Sequence, residues 1–207
     1  MNRPNQHTLL TAQLAQINQD AAAAPEYAAL LALVSDTYHR QDIELANLEQ
    51  TIKNSKYQLQ SLLAISQRLH NAEDTAEVLN YICALAADVF TCSRVGLWIF
   101  KDSLYQPFYE MEYDHSSNRF TPVRFQACGL DHAYLEELKN SQCIVLDDTV
   151  NSPALNPHSR LYLSEHKITS LMDIPVDTST GYFGLLRIVQ IAQARQWNTS
   201  EQQFAIS

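Results

Sequence analysis

Apolar side chains recur at alternating steps of three and four residues along the first third of the chain. From Leu31 these steps reach twelve positions, of which nine are apolar and three, Gln41, Ser55 and Ser66, are polar. A repeat sustained over more than five heptads predicts a long helix with a coiled-coil seam. Neither proline nor glycine occurs within residues 26–95. The two strongest helix breakers are therefore missing, and the helix can run without interruption.

We expect the apolar seam to join two copies of the chain, because an isolated helix would leave it in water. The alternative is a helix that packs on the domain following it in the same chain. The residues predicted at the dimer interface are Leu31, Val34, Tyr38, Leu45, Leu48, Ile52, Leu59 and Leu62. Upstream, residues 1–24 predict a separate short helix and a break. The seam therefore assigns residues 25–70 to a coiled-coil helix.

The apolar period changes in residues 71–207 and predicts a separate mixed domain. A capping-box match at Asp74 and Glu77 begins a helix. The predicted strands are 95–100, 105–113, 120–127, 143–146, 170–176 and 182–191. The predicted later helices are 131–139, a segment from after Pro153 to about Glu165, and one that starts at Thr199 with a second capping-box match. This order indicates an α+β fold with an antiparallel six-stranded sheet flanked by helices.

The charge is concentrated in the second segment. Residues 1–70 hold 5 basic and 6 acidic side chains (net −1), and residues 71–207 hold 9 and 17 (net −8). Such an acidic surface repels phosphate backbones, so we expect no nucleic-acid partner. The chain has only 4 glycines, none adjacent, which excludes dinucleotide and Walker A loops.

The cysteines and the hydropathy indicate a cytoplasmic protein. Cys83, Cys92, Cys128 and Cys143 form no C-x-x-C pair and have no histidine at metal-ligand spacing. They therefore predict reduced thiols without a metal site or a cofactor. No apolar run reaches the roughly 18–20 residues of a membrane span, so we expect no membrane partner.

Five blocks resemble a GAF domain in their order and spacing. They are Leu62–Ser66, Ser93–Phe100, Ile168–Val176, Gly184–Leu186 and Arg195–Ala205. The upstream stretch 31–55 is similar to the helical linkers of bacterial histidine kinases and diguanylate cyclases. The resemblance implies a non-catalytic sensory or regulatory module that passes a small-molecule or packing signal to a downstream output domain. Because the last predicted helix has only two turns, we expect the natural protein to continue beyond Ser207.

The resemblance also directs attention to ligand contacts. Bilin-binding GAF domains carry Cys-His-x-x-Tyr-Leu; the matching stretch His158–Leu163 keeps Tyr162 and Leu163 but lacks the cysteine, so covalent bilin is not expected. Two alternatives remain: a ligand-free dimerisation scaffold, and a thiol-dependent free methionine sulfoxide reductase that uses Cys128 and Cys143. The ligand-binding residues suggested by the resemblance are Tyr109, Phe125, Asp147, His158, Tyr162, Ser170, Met172 and Arg187.

Overall fold

The computed structural model divides into two compact units, Met1–Tyr57 and Gln58–Ser207. It describes residues 25–71, 74–100, 107–128, 130–153, 155–177 and 183–207. The short helix predicted within residues 1–24 lies outside this part of the chain. No helix in the described ranges is both long enough and apolar enough to cross a membrane.

The predicted long helix is present as α1, Pro25–Asn71. The middle of its predicted seam, from Leu45 to Leu59, is open to solvent in the single chain, whereas Val34 and Tyr38 are half-buried. Leu45, Leu48, Ile52 and Leu59 are 54–69% exposed, well above what a buried core residue shows. Elsewhere along the helix, exposed i,i+4 pairs such as Asp36 with Arg40 support the backbone.

The second unit is built on one antiparallel sheet of six strands in the order β3-β2-β1-β6-β5-β4. Its strands are β1 (Arg94–Phe100), β2 (Pro107–Asp114), β3 (Arg119–Thr121), β4 (Ile144–Leu146), β5 (Ile168–Asp177) and β6 (Phe183–Ile191). Its helices are α2 (Thr75–Phe90), the 3₁₀ turn Phe125–Cys128, α3 (His132–Lys139), α4 (Pro157–Glu165) and α5 (Thr199–Ala205). The α+β fold class predicted from the sequence is confirmed.

The two faces of the sheet carry separate cores, because successive side chains of a strand point to opposite faces. On β6, Leu185 and Val189 belong to a core formed with the 3₁₀ turn, α3 and α4; we call this side the cover face. Leu186 packs on, and Ile188 belongs to, a second core formed with α2 and α5, here called the helix face. The central strands are therefore covered on both sides.

Three local predictions differ from the structure. The third strand was predicted over 120–127, but β3 ends at Thr121, because Pro122 has no N–H to continue the ladder and the chain turns so that Phe125 enters the cover-face core. At the start of α2, Asp74 is the N-cap as predicted, but its side chain accepts from the Ala76 N–H, and the Glu77 side chain pairs with Arg68 and does not close a capping box.

The last helix starts at Thr199 as predicted, but its capping box lies one residue earlier than the sequence match suggested. Its N-cap is Asn198, whose side chain accepts from the Glu201 N–H, while the Glu201 carboxylate accepts from the Asn198 N–H. This closes a capping box around α5, one residue before the match at Thr199 that the sequence suggested.

Candidate functional site

A buried ion pair lies at the centre of the cover face. Arg187 on β6 and Asp173 on β5 are register partners, and they are only 3% and 0% exposed. Arg187 Nε donates to Asp173 Oδ1 at 2.8 Å and Nη2 donates to Oδ2 at 2.6 Å, a bidentate pair. Burial acts to lower the pKa of Arg187, but the Asp173 carboxylate raises it, and the net shift is upward. The guanidinium therefore stays charged.

Helix α3 is fastened to this ion pair by Tyr134. The Tyr134 hydroxyl donates to Asp173 Oδ2 at 2.6 Å, and the pKa of Tyr134 is raised well above its usual value by burial and by the Asp173 charge. The tyrosine is therefore a neutral donor. It is positioned by the start of α3, where the side chain of Asp131 accepts from the Tyr134 N–H at 2.9 Å.

The two helices of the cover are also tied to each other. Asp131 caps α3 with one carboxylate oxygen and accepts from Asn156 Nδ2 with the other, at 2.8 Å. Asn156 in turn caps α4 by accepting from the Ser159 N–H. Because each side chain is the N-cap of its own helix, this one hydrogen bond joins the beginnings of α3 and α4.

Tyr162 on α4 and Cys128 on the 3₁₀ turn complete the polar surroundings of Arg187. Both are buried and belong to the cover-face core. Burial is the main cause that raises the pKa of each group, and each of the two groups also influences the pKa of the other. At neutral pH the site therefore holds a neutral thiol and a neutral phenol beside the guanidinium.

Arg187, Gly96 and Glu112 lie side by side on three neighbouring strands, and we call these three positions the row. Arg187 lies opposite Gly96 on β1, and Gly96 lies opposite Glu112 on β2. Gly96 has no side chain, and the ring of Trp98 fills its place: a Cβ on Gly96 would lie 2.4 Å from Trp98 Cη2 and 2.7 Å from Cζ3. The indole N–H donates to the Val123 carbonyl at 2.9 Å, which fixes the ring over the sheet.

The polar edge of the row contains two carboxylates around Arg94. Arg94 Nε donates to Asp114 at 3.0 Å, and its Nη1 donates to Glu112 at 3.4 Å. The pKa of Glu112 is raised, chiefly by burial, although Arg94 opposes the shift. The pKa of Asp114 is lowered, first by the Ser116 hydroxyl that donates to it. The surroundings therefore shift the pKa values of these two neighbouring carboxyl groups in opposite directions.

The structure brings three of the eight predicted ligand contacts together on the cover face: Phe125, Tyr162 and Arg187. Phe125 stacks edge to face on Phe100 with ring centroids 4.9 Å apart. His158 lies on α4 but is exposed to solvent. The cover face thus combines aromatic walls with one buried cation.

The remaining four predicted contacts lie elsewhere. Met172 belongs to the helix-face core, and Tyr109 packs against it and donates to Asn80 on α2. Burial, together with nearby negative groups, raises the pKa of Tyr109 to about 12. Ser170 donates to the Asp147 carbonyl, and the Asp147 carboxylate accepts from a backbone N–H of the segment before α5. These two residues connect parts of the fold at the end of the sheet.

Sequence reasoning missed Asp173, Tyr134 and Trp98. A sign of Asp173 was available, because a single carboxylate stands inside the apolar run Leu171–Val176 and a buried charge requires a partner. Arg187 stands in the same way between Leu186 and Ile188. No comparable sign marks Tyr134 or Trp98, whose aromatic side chains are ordinary core residues in sequence.

The cysteines are placed unfavourably for thiol chemistry. Cys128 belongs to the cover-face core, whereas Cys143 packs against the helix-face core on the other side of the sheet. Burial raises the pKa of both thiols, and it raises the pKa of Cys83 and Cys92 to about 12. Within the described ranges, no group of three or more His, Cys, Asp or Glu side chains has the geometry of a metal site.

A second polar network, around Arg195, joins the end of α2 to the start of α5. Arg195 Nη1 donates to the Phe90 and Thr91 carbonyls at 2.8 and 3.3 Å, and Nη2 pairs with Glu201. The Arg195 N–H donates to Ser170 Oγ at 2.7 Å. One residue therefore contacts α2, β5 and α5.

Comparison with known proteins gives the same fold. The GAF domain from a phosphoenolpyruvate-protein phosphotransferase of Coxiella burnetii is 19% identical, with a TM-score of 0.54 over 74% of this chain and 88% of that one. The phycoerythrobilin-bound GAF domain from a cyanobacterial phytochrome is 15% identical, with a TM-score of 0.59 over 72% and 89%. At these identities the likeness shows the fold alone.

A longer protein of Synechocystis sp., sll0041, is 25% identical over 204 residues; its name provisionally describes it as a methyl-accepting chemotaxis protein. The match covers 96% of this chain and 18% of the length of that relative. The GAF domain family profile matches residues 74–207, well over half of the chain. The chain therefore belongs to the GAF domain family.

Proposed function

We propose that this chain is a sensory or regulatory GAF module that forms a homodimer through its long helix and transmits a small-molecule or packing signal to a downstream output domain. The outputs that the sequence suggests are a histidine kinase and a diguanylate cyclase. The name of the Synechocystis relative adds chemotaxis signalling. A cytoplasmic location and a non-catalytic role of the chain itself are parts of this proposal.

The observation that carries the proposal is the open seam of α1. Side chains at heptad positions remain 54–69% exposed at Leu45, Leu48, Ile52 and Leu59, in a helix of 47 residues. These apolar side chains contribute nothing to stability while they remain in water. Packing against a second copy of the helix would bury them and stabilise the dimer by roughly 25 cal/mol per Å² of apolar surface buried. The occupant we infer is a second α1.

A matched pair of substitutions tests the dimer. Ile52 lies on the seam and is 67% exposed; Ile43 is 64% exposed but lies nine residues away, about 180° around the helix at 100° per residue. Ile52→Glu and Ile43→Glu therefore introduce the same charge at equally exposed positions on opposite faces.

Sedimentation velocity of the full chain at micromolar concentration is the measurement. We expect a dimer for the unmodified protein and for Ile43→Glu, and a monomer for Ile52→Glu. A monomeric unmodified protein, or equal effects of the two substitutions, contradicts dimerisation through this seam. Circular dichroism of each variant controls for loss of helix.

The ligand part of the proposal is supported by the cover face, where Phe125, Tyr162 and Arg187 meet. Five further contacts are proposed from the resemblance alone, because they do not lie with these three residues: Tyr109, Asp147, His158, Ser170 and Met172. Native mass spectrometry of the purified chain tests for a small molecule that copurifies. Its detection contradicts the alternative of a ligand-free scaffold.

The sulfoxide reductase alternative has no comparable support. Its two thiols, Cys128 and Cys143, lie against opposite faces of the sheet, and burial holds both in the unreactive protonated form. Turnover of free methionine sulfoxide with thioredoxin, abolished by Cys128→Ser, would overturn this assessment.

A further inference from the structure

One donor of the buried ion pair is without an acceptor. Arg187 Nη1 is buried and makes no hydrogen bond to any group in the described part of the chain, whereas Nε and Nη2 are both used by Asp173. A buried donor on a charged group is costly when it is left unpaired, and native proteins rarely leave one so. The direction of the guanidinium is fixed by its two bonds to Asp173, so Nη1 is held ready for an acceptor.

The charges around Arg187 favour an uncharged acceptor. The guanidinium is already neutralised by Asp173, and Tyr134, Tyr162 and Cys128 are neutral groups with raised pKa values. A ligand carboxylate would add a second negative charge to a site with one positive charge, and Glu112 at the end of the same row would oppose it further. A carbonyl oxygen accepts from Nη1 without adding charge.

The shape of the neighbourhood favours a planar ligand of about the size of an indole. The Trp98 ring lies over Gly96, the register partner of Arg187, and Phe125 stands edge-on to it with centroids 6.2 Å apart. The ring is held on this side of the sheet by its own packing and by one hydrogen bond to Val123. A flat bicyclic ligand could take the same place if the indole rotated away.

We propose that Arg187 Nη1 anchors the carbonyl oxygen of a compact, planar, uncharged ligand that displaces the Trp98 indole from Gly96. This rests on the proposed sensory function and names the ligand chemistry of its site. The hydrogen bond from the Tyr134 hydroxyl to Asp173 holds α3 over the guanidinium, so entry of the ligand also requires α3 to move. Trp98 is then both the occupant of the closed site and a reporter of its opening.

The test uses three bicyclic probes on the full chain: 2-quinolinone, which has a neutral carbonyl, naphthalene, which has no acceptor, and 2-naphthoate, which is an anion. The chain has 2 tryptophans, so the ¹⁵N NMR spectrum shows two indole N–H signals, which Trp197→Phe assigns. We expect 2-quinolinone to shift the Trp98 signal saturably and to bind at least about tenfold more tightly than either other probe.

Substitutions then separate the anchor from general folding. Arg187→Lys keeps a cation beside Asp173 but lacks the additional donor that Nη1 provides. It should therefore weaken 2-quinolinone binding by about tenfold or more. Arg119→Lys, at an exposed position on the edge strand β3, should leave binding unchanged. Asp173→Asn removes the neutralising charge, so the preference should invert toward 2-naphthoate, which should also raise the melting temperature of that variant.

Three results overturn the proposal: no probe moves the Trp98 signal, 2-naphthoate binds the unmodified chain as tightly as 2-quinolinone, or Arg187→Lys binds like the unmodified chain. If Arg187→Lys does not fold, the inversion in Asp173→Asn, read as a ligand-dependent melting shift, decides the question. These failures differ from failure of the proposed function, which the behaviour of the seam variant Ile52→Glu measures separately.

Discussion

Neutralising Asp173 should destabilise the GAF unit strongly, because it leaves the Arg187 charge buried without a counter-ion. Asp173→Asn keeps the shape of the side chain and removes the charge at a position that is 0% exposed, beside a guanidinium that is 3% exposed. Breaking one partner of a buried ion pair costs about 3–5 kcal/mol. Domains are typically stable by only about 5–15 kcal/mol, so the expected loss is a large fraction of the total.

The expected loss can be measured in two ways. Urea unfolding followed by tryptophan fluorescence reports on the GAF unit, since both tryptophans, Trp98 and Trp197, lie in it and are buried. For a domain of this size about 1 kcal/mol corresponds to roughly 2–4 °C, so the melting temperature should fall by about 6–20 °C. Protein concentration is held constant, because dimerisation would otherwise shift the midpoint.

An exposed carboxylate gives the control. Glu136 on α3 lies 3.6 Å from Lys139 in an i,i+3 pair whose side chains are 46% and 35% exposed. Such surface pairs contribute little, so Glu136→Gln should cost less than about 1 kcal/mol. The comparison separates loss of any ion pair from loss of a buried one.

A double substitution distinguishes an unpaired charge from a packing defect. Asp173→Leu with Arg187→Met removes both charges and keeps apolar volume, and should recover most of the stability that Asp173→Asn loses. A loss below about 1 kcal/mol in Asp173→Asn refutes the reasoning. So does a double variant as unstable as the single one.

Three further outcomes are expected. At pH 7 Glu112→Gln should raise the urea midpoint, because a raised pKa means that the folded state disfavours the charge, and the gain should vanish as the pH falls toward about 4. Asp114→Asn should lower the midpoint at pH 7, with the loss fading below about pH 4. Two increases would contradict the pKa direction of Asp114, and two decreases would contradict that of Glu112. Arg195→Met should speed amide hydrogen exchange in α5, and unchanged exchange would show that the network does not hold the helix. Iodoacetamide at pH 8 followed by mass spectrometry should label Cys143 before Cys128, and the reverse order would contradict their burial.

The elements of the fold were largely predictable because their signals are local. The absence of glycine and proline over 26–95 and the heptad spacing are sufficient for α1, and continuous apolar runs are sufficient for β1, β5 and β6. The third strand was extended too far, because the aromatic residues of 120–127 are equally typical of a strand and of a turn that buries Phe125. Tertiary packing decided between them, and periodicity does not report it.

The pairing of Asp173 with Arg187 depends on the register between β5 and β6, which could not be predicted from the sequence. A loop predicted over 177–181 centres the β5–β6 hairpin on residue 179 and would pair Asp173 with Leu185. The observed register pairs Asp173 with Arg187, two residues further along. Arg187 was identified as a candidate but its partner was not, because a shift of two residues keeps every side chain on its face while changing every neighbour.

The position of Asp173 on β5 suggests how an event on the cover face could reach the helix face. Ser170 lies three residues earlier on the same strand, so it is about 10 Å away at the usual rise per residue. Its hydroxyl accepts from the Arg195 N–H, and the Arg195 guanidinium holds both the end of α2 and the start of α5. Phe90 and Phe204 pack between these helices with ring centroids 5.6 Å apart. Because a hydrogen-bonded strand moves as a unit, a displacement of β5 at Asp173 should shift the anchor of α5 as well. In that case Arg195→Met would leave ligand binding intact and remove its effect on hydrogen exchange in α5.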